Sequence, residues 1–197
     1  MNKINKTKFT EHFLNVNPTI KDNFDSWVIL AGMLYDSEYC WWGHKASRKQ
    51  PHEGLDLGHY RNAKNEIIEL NKTINVPAIY AGSVVGVFDD FLGQSIFFKH
   101  EIFDQENGQL CTVFGHLNPA ENIQQGKTVS DGEIVGQVAS AEKSSASPHL
   151  HITIGWVKGE ITTDLLDWSN IGSQKVMKLI DPLDVFAPSE YRIEENE

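Results

Sequence analysis

Short β-rich runs separated by turn-forming residues fill the second half of this 197-residue chain. They restrict the folds that the chain can adopt more than any other feature. From Val76 onward, apolar and β-branched residues come in brief stretches that glycine, asparagine and aspartate interrupt. This texture is typical of strands joined by tight turns. It predicts a mainly β protein with an antiparallel sheet core. The predicted strands cover residues 78–88, 95–103, 110–114, 134–138 and 150–156.

Two dipeptides in this half carry the signature of a tight turn. Asn107-Gly108 lies between two predicted strands, and Asp131-Gly132 follows Val129 and precedes the apolar pair at 134–135. Asparagine, aspartate and glycine tolerate the left-handed backbone conformations that two-residue hairpin loops require. We therefore expect a hairpin at each position.

The two ends of the chain differ from this β-rich part. A polar lead-in is followed by an apolar run at 27–35, for which periodicity does not separate strand from helix. At the other end, the stretches 164–168 and 176–186 precede an acidic tail at 194–197 that we expect to be frayed and solvated. The predicted organisation is an N-terminal segment that packs on the core (1–45), a β domain (46–157) and a C-terminal extension (158–197).

Composition excludes several classes of function. With 17 basic and 27 acidic residues the formal net charge is −10, which argues against a nucleic-acid binder because such proteins need basic clusters. No apolar run is long enough for a transmembrane helix, and the first residues lack the apolar stretch of a signal peptide. Cys40 and Cys111 form no metal-binding or disulfide pattern and are expected to be buried thiols.

Histidine and aspartate stand at metal-ligand spacing near residue 50. His52 and Asp56 are four residues apart, which places them on one face of either a strand or a helix, and Gly54 between them favours the extended form. The same glycine and the aspartate at the fourth position exclude the HExxH metalloprotease helix. Imidazole and carboxylate are ordinary zinc ligands, and a catalytic zinc site with three protein ligands keeps a position open for water.

Two further motifs supply more histidines. His149 immediately precedes the predicted strand 150–156 and His151 lies within it; at this spacing in an extended chain both rings can face the same side. His116 follows the predicted strand 110–114 and precedes a turn at Asn118-Pro119, where a histidine can point into a cleft. Geometry alone does not say which of the paired histidines is a ligand.

In their order and spacing these motifs resemble the lysostaphin or LytM-type zinc endopeptidases. That family shows an HxxxD motif, then a Gly-His-Leu type motif, then HxH, and this chain has them at 52–56, 115–117 and 149–151. The resemblance extends over about residues 50–155, with 76–85 similar to the family's strand after the first ligands and 126–136 similar to its late hairpin. It implies the family's β-sandwich-like antiparallel core, a duplicated hybrid motif, with short helical or irregular terminal segments.

The resemblance also implies a role for each histidine. His52, Asp56 and His151 are carried over as ligands of one zinc ion per chain, and His116 and His149 as catalytic histidines that do not bind the metal. His149 is then the candidate general base and His116 the candidate donor to the developing oxyanion, although the two roles are exchangeable at this stage.

Some parts of the chain depart from the family. The stretch before HxH, at 139–147, lacks the usual glycines, the turn after 95–103 is long, and residues 57–75 form an apparent insertion with His59, Asn62, Lys64 and Asn65. His44, His59 and His100 are candidates for supporting or substrate groups, with ordinary solvated or core histidines as the alternative. The pair Trp41-Trp42 either lines a groove or belongs to the core. His12 is expected at the surface.

Three functions follow from these motifs. By resemblance, the chain hydrolyses peptide bonds of peptidoglycan stems or cross-bridges, which implies a place in the cell envelope or outside the cell; the missing signal peptide leaves a cytoplasmic location open. A non-catalytic binding or regulatory module of wall remodelling is the alternative from another class, although such modules usually lack ligands that this chain has. The third is an enzyme acting on a Gly-rich protein or a small peptide. The oligomeric state is left open.

Overall fold

The computed structural model of the protein describes residues 4–42, 46–140 and 146–194. Its α-helices are short and lie towards the two ends of the chain: α1 (Phe9–Val16), α2 (Pro18–Lys21) and α3 (Trp168–Gly172). Single 3-10 turns cover Ala31–Met33, Thr163–Leu165, Pro182–Asp184 and Pro188–Glu190. The strands are β1 (Phe24–Leu30), β2 (Leu55–Leu57), β3 (His59–Asn62), β4 (Ile67–Glu69), β5 (Asn75–Pro77), β6 (Gly82–Asp89), β7 (Gln94–Phe103), β8 (Gln109–Pro119), β9 (Thr128–Val129), β10 (Ile134–Val138), β11 (Leu150–Val157), β12 (Lys178–Ile180) and β13 (Tyr191–Glu194).

A large antiparallel sheet forms the body of the molecule. Its strands follow the order β12-β11-β8-β7-β6-β9, while β2 pairs with β11 and β10 pairs with both β5 and β8. Every pair in this sheet is antiparallel. The predicted mainly β fold with an antiparallel core is therefore confirmed.

The predicted strands match the observed ones to within one residue except at two ends. The strand predicted from residue 78 begins at Gly82, because Ala78 instead bonds through both its backbone groups to Gly132 and Glu133. The strand predicted to end at residue 114 continues to Pro119. His116 thus lies inside β8 rather than after it, which corrects the expectation that it follows a strand end.

One of the two predicted hairpins is present. Asn107, with φ of 60°, sits in the turn between β7 and β8, where Asp104 Oδ1 accepts hydrogen bonds from the backbone N–H groups of Glu106 and Gly108. The hairpin predicted at Asp131-Gly132 is wrong, because β9 pairs with β6 whereas β10 pairs with β5 and β8. Gly132 does adopt a positive φ of 78°, but its N–H donates to the carbonyl of Ala78.

A second, smaller sheet joins the two ends of the chain. It has the order β13-β1-β3-β4, and β1 runs parallel to β13. The apolar run at 27–35 is thus a strand that leads into a 3-10 turn, and the terminal segments contribute strands as well as the expected helical and irregular pieces. Residues 57–75 include the β3–β4 hairpin, with Asn65 at φ of 66° in its turn.

The acidic tail is not wholly solvated. Glu194 ends β13 and forms an ion pair with Arg61 of β3, so the prediction of a frayed tail is wrong at this residue. Pairing of β13 with β1 explains the difference, because it brings the end of the chain beside the arginine. Residues 195–197 lie outside the described part of the chain.

The N-terminal helix helps to fill the core. Phe9 and Phe13 of α1 are fully buried; Phe9 packs edge-on against Phe114 of β8, and Phe13 against Trp27 of β1. These contacts bury large apolar rings between the two sheets. The division at residues 45 and 157 stays a prediction.

The two cysteines differ in environment. Cys111 is buried, and burial raises the pKa of its thiol to about 12, whereas Cys40 is only partly buried. Both are free thiols. In the described residues, no helix has the length and apolar character needed to cross a membrane.

Candidate functional site

Strand register brings the three motifs together. In β11, His151 lies opposite Asp56 of β2 on one side and opposite Gly115 of β8 on the other. Gly54 permits the close approach of β2, since a Cβ there would meet the Ile152 carbonyl at 2.4 Å and His151 Nε2 at 2.7 Å. The close packing of β2 against β11 thus requires a glycine between His52 and Asp56.

The N-terminal segment holds His52 in place. The backbone N–H of His52 donates to the Ser37 carbonyl at 3.0 Å, and its carbonyl accepts from Asp36 at 2.8 Å. Its ring Nδ1 lies 2.9 Å from the Leu34 carbonyl. Because a carbonyl only accepts, Nδ1 carries the hydrogen and Nε2 is left with a free electron pair.

Three ligand atoms converge inside the protein. His52 Nε2 lies 3.1 Å from His151 Nδ1 and 3.2 Å from Asp56 Oδ1, and the last two atoms are 2.8 Å apart. All three residues are buried. Zinc bonds of about 2.1 Å in a tetrahedral arrangement separate ligand atoms by about 3.4 Å, so a small opening of this cluster accommodates the ion. The donor set, two imidazoles and a carboxylate, suits zinc.

The outer contacts of these residues leave the inner atoms free. His151 Nε2 bonds to the Thr153 hydroxyl at 2.8 Å, which leaves Nδ1 on the side of the cluster. Asp56 Oδ2 accepts from Trp41 Nε1 at 2.8 Å and lies 3.7 Å from Arg48 Nη2, so Oδ1 is the oxygen that faces the histidines. Such outer contacts orient metal ligands.

Charge in the cluster also favours a cation. Burial by itself would raise the pKa of Asp56, but His52, His149 and His151 outweigh it and hold that pKa well below its usual value. Burial lowers the pKa of His151, although Asp56 opposes the shift. A metal requires an ionised carboxylate and a neutral imidazole among its ligands, and these two shifts favour those forms of Asp56 and His151.

His149 offers a free nitrogen beside this cluster. Its Nδ1 bonds to the Ser147 carbonyl at 2.8 Å, and its buried Nε2 has no hydrogen-bond partner in the described residues and lies 3.7 Å from Asp56 Oδ1. Burial lowers the pKa of His149 to about 4, against the opposing effect of Asp56. The ring is therefore neutral at neutral pH and available as a base.

His116 packs against His149, with ring centroids 4.8 Å apart. It adopts a left-handed backbone with φ of 64°, and its Nδ1 lies 3.1 Å from Asp90 Oδ1. Phe91, 64% exposed, covers the ring at a centroid distance of 4.6 Å. The structure thus brings all five predicted site residues into one cluster; their roles as ligands and catalysts are taken up as a proposal below.

Aromatic side chains surround the cluster. Trp41 packs edge-on against both His149 and His59, so it belongs to the wall of the site as well as bonding to Asp56. Trp42 packs on His149 as well, and the guanidinium group of Arg48 stacks over the Trp42 ring. Trp41 also packs against the main hydrophobic core, so both earlier interpretations of this pair stay predictions.

The remaining histidines have other surroundings. His100 is buried and bonded to the Ala81 carbonyl and the Thr112 hydroxyl, so it is a core histidine. His59 lies behind Trp41, with Nε2 3.7 Å from Glu69, one layer away from the ligand atoms. His12 is partly exposed and pairs with Asp131. His44 and residues 141–145 lie outside the described residues.

Sequence reasoning missed several residues of the site. The sequence around Asp90 indicates only a turn that begins at this aspartate and ends at Gly93. Nothing in it links Asp90 to His116. Trp168 comes from the C-terminal segment, packs edge-on against His151 at 4.9 Å and donates from Nε1 to Ser95 Oγ at 3.1 Å. Neither contact is visible in local sequence patterns, since each joins separate elements of the chain.

Comparison with known proteins agrees with the motifs. The sequence model of peptidase family M23 matches residues 50–163. No curated protein matches the chain. Solved structures that do include the antimicrobial peptidase lysostaphin from Staphylococcus simulans, with 19% identity and a TM-score of 0.44 over 70% of this chain and 45% of that one. The catalytic domain of the prophage-encoded M23 protein EnpA from Enterococcus faecalis, solved as a mutant, has 24% identity and a TM-score of 0.38 over 64% and 82%.

A third structure, LytU, has 15% identity and a TM-score of 0.40 over 75% of this chain and 93% of that one. A solution structure of lysostaphin is matched over 56% of its length. This chain thus spans about half the length of the lysostaphin chains it matches.

Proposed function

The chain belongs to peptidase family M23, whose sequence model matches more than half of it, and from this premise we propose that it is a zinc-dependent endopeptidase acting on peptidoglycan stems or cross-bridges. The observation that carries the proposal is the buried convergence of His52 Nε2, Asp56 Oδ1 and His151 Nδ1 within 4.8 Å of one another. Two further histidines, His116 and His149, lie against these ligand atoms without being part of the triad.

His52, Asp56 and His151 hold the zinc in this proposal. When bound, zinc polarises the scissile carbonyl and lowers the pKa of a water molecule. The chain's own contribution is to keep the three ligand atoms turned inward through Leu34, Thr153 and Trp41. It also keeps the site largely dry, since all three ligands are buried, and a low local dielectric strengthens electrostatic interactions.

His149 acts as the general base. Its Nδ1 is committed to the Ser147 carbonyl, so Nε2 holds the free electron pair, and burial keeps the ring neutral. This nitrogen lies 3.7 Å from the ligand oxygen of Asp56, a position from which it can accept a proton from a nucleophile held at the cluster.

In its protonated form, His116 donates from Nε2 to the oxygen that gains charge during attack on the carbonyl. Its Nδ1 faces Asp90, so Nε2 is the nitrogen left for the substrate. Its ring contacts those of His149 and His151, which places it on the rim of the ligand cluster. A preorganised donor in a water-poor site stabilises an oxyanion by more than it would in water.

Purified peptidoglycan provides the test of this function. Incubation with the zinc-loaded protein is expected to release new amine termini that mass spectrometry identifies, and addition of a chelator should stop their release. An assay at about 0.15 M salt reduces the long-range repulsion between this acidic chain and an anionic wall polymer. The formal charge of −10 makes that precaution necessary.

The outcome separates the three hypotheses. New amine termini that depend on zinc support the endopeptidase. Tight binding to peptidoglycan without cleavage would favour a regulatory module instead. Cleavage of glycine-rich peptides with no action on peptidoglycan would keep the chemistry and overturn the proposed substrate.

A further inference from the structure

A β-bulge in β8 shapes the position of His116. Between β7 and β8, the register moves from the pair Gln94–Leu117 to the pair Ile96–Phe114, so Gly115 and His116 together oppose Ser95. A bulge frees backbone groups from the ladder and redirects a side chain. His116 sits in it with φ of 64°, a conformation that L residues other than glycine seldom adopt.

The carboxylate of Asp90 occupies the space beside this bulge. Its side chain is fully buried. Oδ2 accepts from the backbone N–H of His116 at 2.8 Å and from Ser95 Oγ at 2.7 Å, while Oδ1 accepts from the N–H groups of Leu92 and Gly93 at 2.8 Å each. Asp90 therefore satisfies the donor that the bulge leaves without a strand partner.

The same carboxylate faces the ring of His116. Oδ1 lies 3.1 Å from Nδ1, an ion-pair distance, without the geometry of a full hydrogen bond. Each of the four hydrogen-bond partners of Asp90 is a donor, so the carboxylate acts purely as an acceptor. Burial would raise the pKa of Asp90, but His116 and Ser95 hold it below its usual range.

We propose that Asp90 is a positioning residue for His116, which it holds by both backbone and ring so that Nδ1 carries a hydrogen and Nε2 is the nitrogen offered to the substrate. An acceptor-only group beside Nδ1 keeps a hydrogen on that nitrogen in both the neutral and the protonated ring, and the protonated ring is the form whose Nε2–H can donate to an oxyanion. The kinetic part of this inference rests on the proposed peptidase function, whereas the tautomer does not.

Ser95 and Trp168 extend this arrangement towards the C-terminal segment. Trp168 Nε1 donates to Ser95 Oγ at 3.1 Å, and Ser95 in turn donates to Asp90 Oδ2. Ser95 is fully buried opposite the bulge. The carboxylate is thus fixed from the sheet and from α3, which keeps it aligned with the bulge.

Long-range proton–nitrogen correlation spectra of the histidine rings test the tautomer in the unmodified protein. We expect the His116 signals, assigned by their loss in His116→Ala, to show a hydrogen on Nδ1. A neutral ring with its hydrogen on Nε2 and a bare Nδ1 would overturn the proposal. The experiment needs no enzymatic activity, so its result stands even if the chain cleaves nothing.

Kinetics of Asp90→Asn test the consequence. In asparagine an NH2 group replaces one carboxylate oxygen and therefore faces N–H or O–H groups that need an acceptor, so His116 loses its fixed position. We expect kcat to fall about 100-fold or more with KM within about threefold of the original. Zinc content should be unchanged. Asp131→Asn, at the partly exposed pair with His12, is the matched control and should keep its kcat.

A folded, zinc-loaded Asp90→Asn protein with unchanged kcat would refute the proposal. Loss of zinc from the folded variant would also refute it, since Asp90 would then support the metal rather than His116. If Asp90→Asn does not fold, the ring spectra of the unmodified protein still decide the question. Failure of the unmodified protein to cleave any peptide would remove the proposed function instead.

Discussion

Replacing His151 with alanine is expected to abolish both zinc binding and peptide hydrolysis. His151 supplies one of three converging ligand atoms, and its Nδ1 makes the shortest contact in the cluster, 2.8 Å to Asp56 Oδ1. Two remaining ligands do not hold a catalytic zinc, which ordinarily has three from the protein. Elemental analysis of the folded variant should find almost no zinc, and peptide cleavage should be undetectable.

His100→Ala is the matched control for this change. His100 is a buried histidine on β7, five residues beyond Ser95 and hence about 17 Å further along the strand. Its bonds to the Ala81 carbonyl and the Thr112 hydroxyl make it part of the core. The control should lower the unfolding temperature and keep the zinc. Retention of stoichiometric zinc by His151→Ala would show that this residue is not a ligand.

Replacing His116 or His149 with alanine is expected to stop turnover while zinc stays bound. His149 Nε2 lies 3.7 Å from the ligand oxygen of Asp56, further than His52 Nε2 or His151 Nδ1, and His116 Nδ1 faces Asp90. Loss of a general base costs about 10²–10⁴ in rate, and loss of one oxyanion donor costs about 10²–10³. Steady-state measurements of kcat, together with analysis of the zinc content, check both variants.

A histidine at the surface, outside the site, provides the control here. His12 pairs with Asp131 and is partly exposed, so His12→Ala should keep both zinc and turnover. Zinc loss from a folded His149→Ala protein, with zinc kept by His151→Ala, would reverse the assignment within the HxH motif. Undiminished kcat in either catalytic variant would remove that histidine from the mechanism.

Local patterns predicted the strands because each strand has its own signature. Short β-rich runs ended by turn-forming residues and the turn at Asn107-Gly108 are signals within a few residues, and the strands appear where expected apart from the start of β6 and the end of β8. The hairpin prediction at Asp131-Gly132 failed because turn chemistry says that the chain bends and not which strands then pair. The partner of β9 is β6, far back in the sequence.

Spacing predicted which residues gather, but long-range structure decides what each one touches. Alternation along a strand puts His149 and His151 on one side, yet it does not reveal that Nε2 of His149 has no partner in the described residues while Nδ1 of His151 reaches Asp56. The bulge at His116 and its link to Asp90 depend on the register between β7 and β8, which no local pattern encodes.

The ends of the chain show the same limit. The apolar run at 27–35 left strand and helix open, and the choice is made by pairing of β1 with β13 and β3. Trp168 reaches His151 from a segment that no sequence pattern placed near the site. Such contacts join opposite ends of the chain or bring a terminal segment onto the sheet.

The zinc content of the folded protein tests the central claim most directly. After dialysis against zinc and removal of the free metal, elemental analysis is expected to find about one zinc per chain, because three buried ligands form a single site. Removal of that zinc with a chelator should end peptide cleavage, and its return should restore it. A folded chain that retains no stoichiometric zinc, or that cleaves peptides equally well without it, would contradict the account.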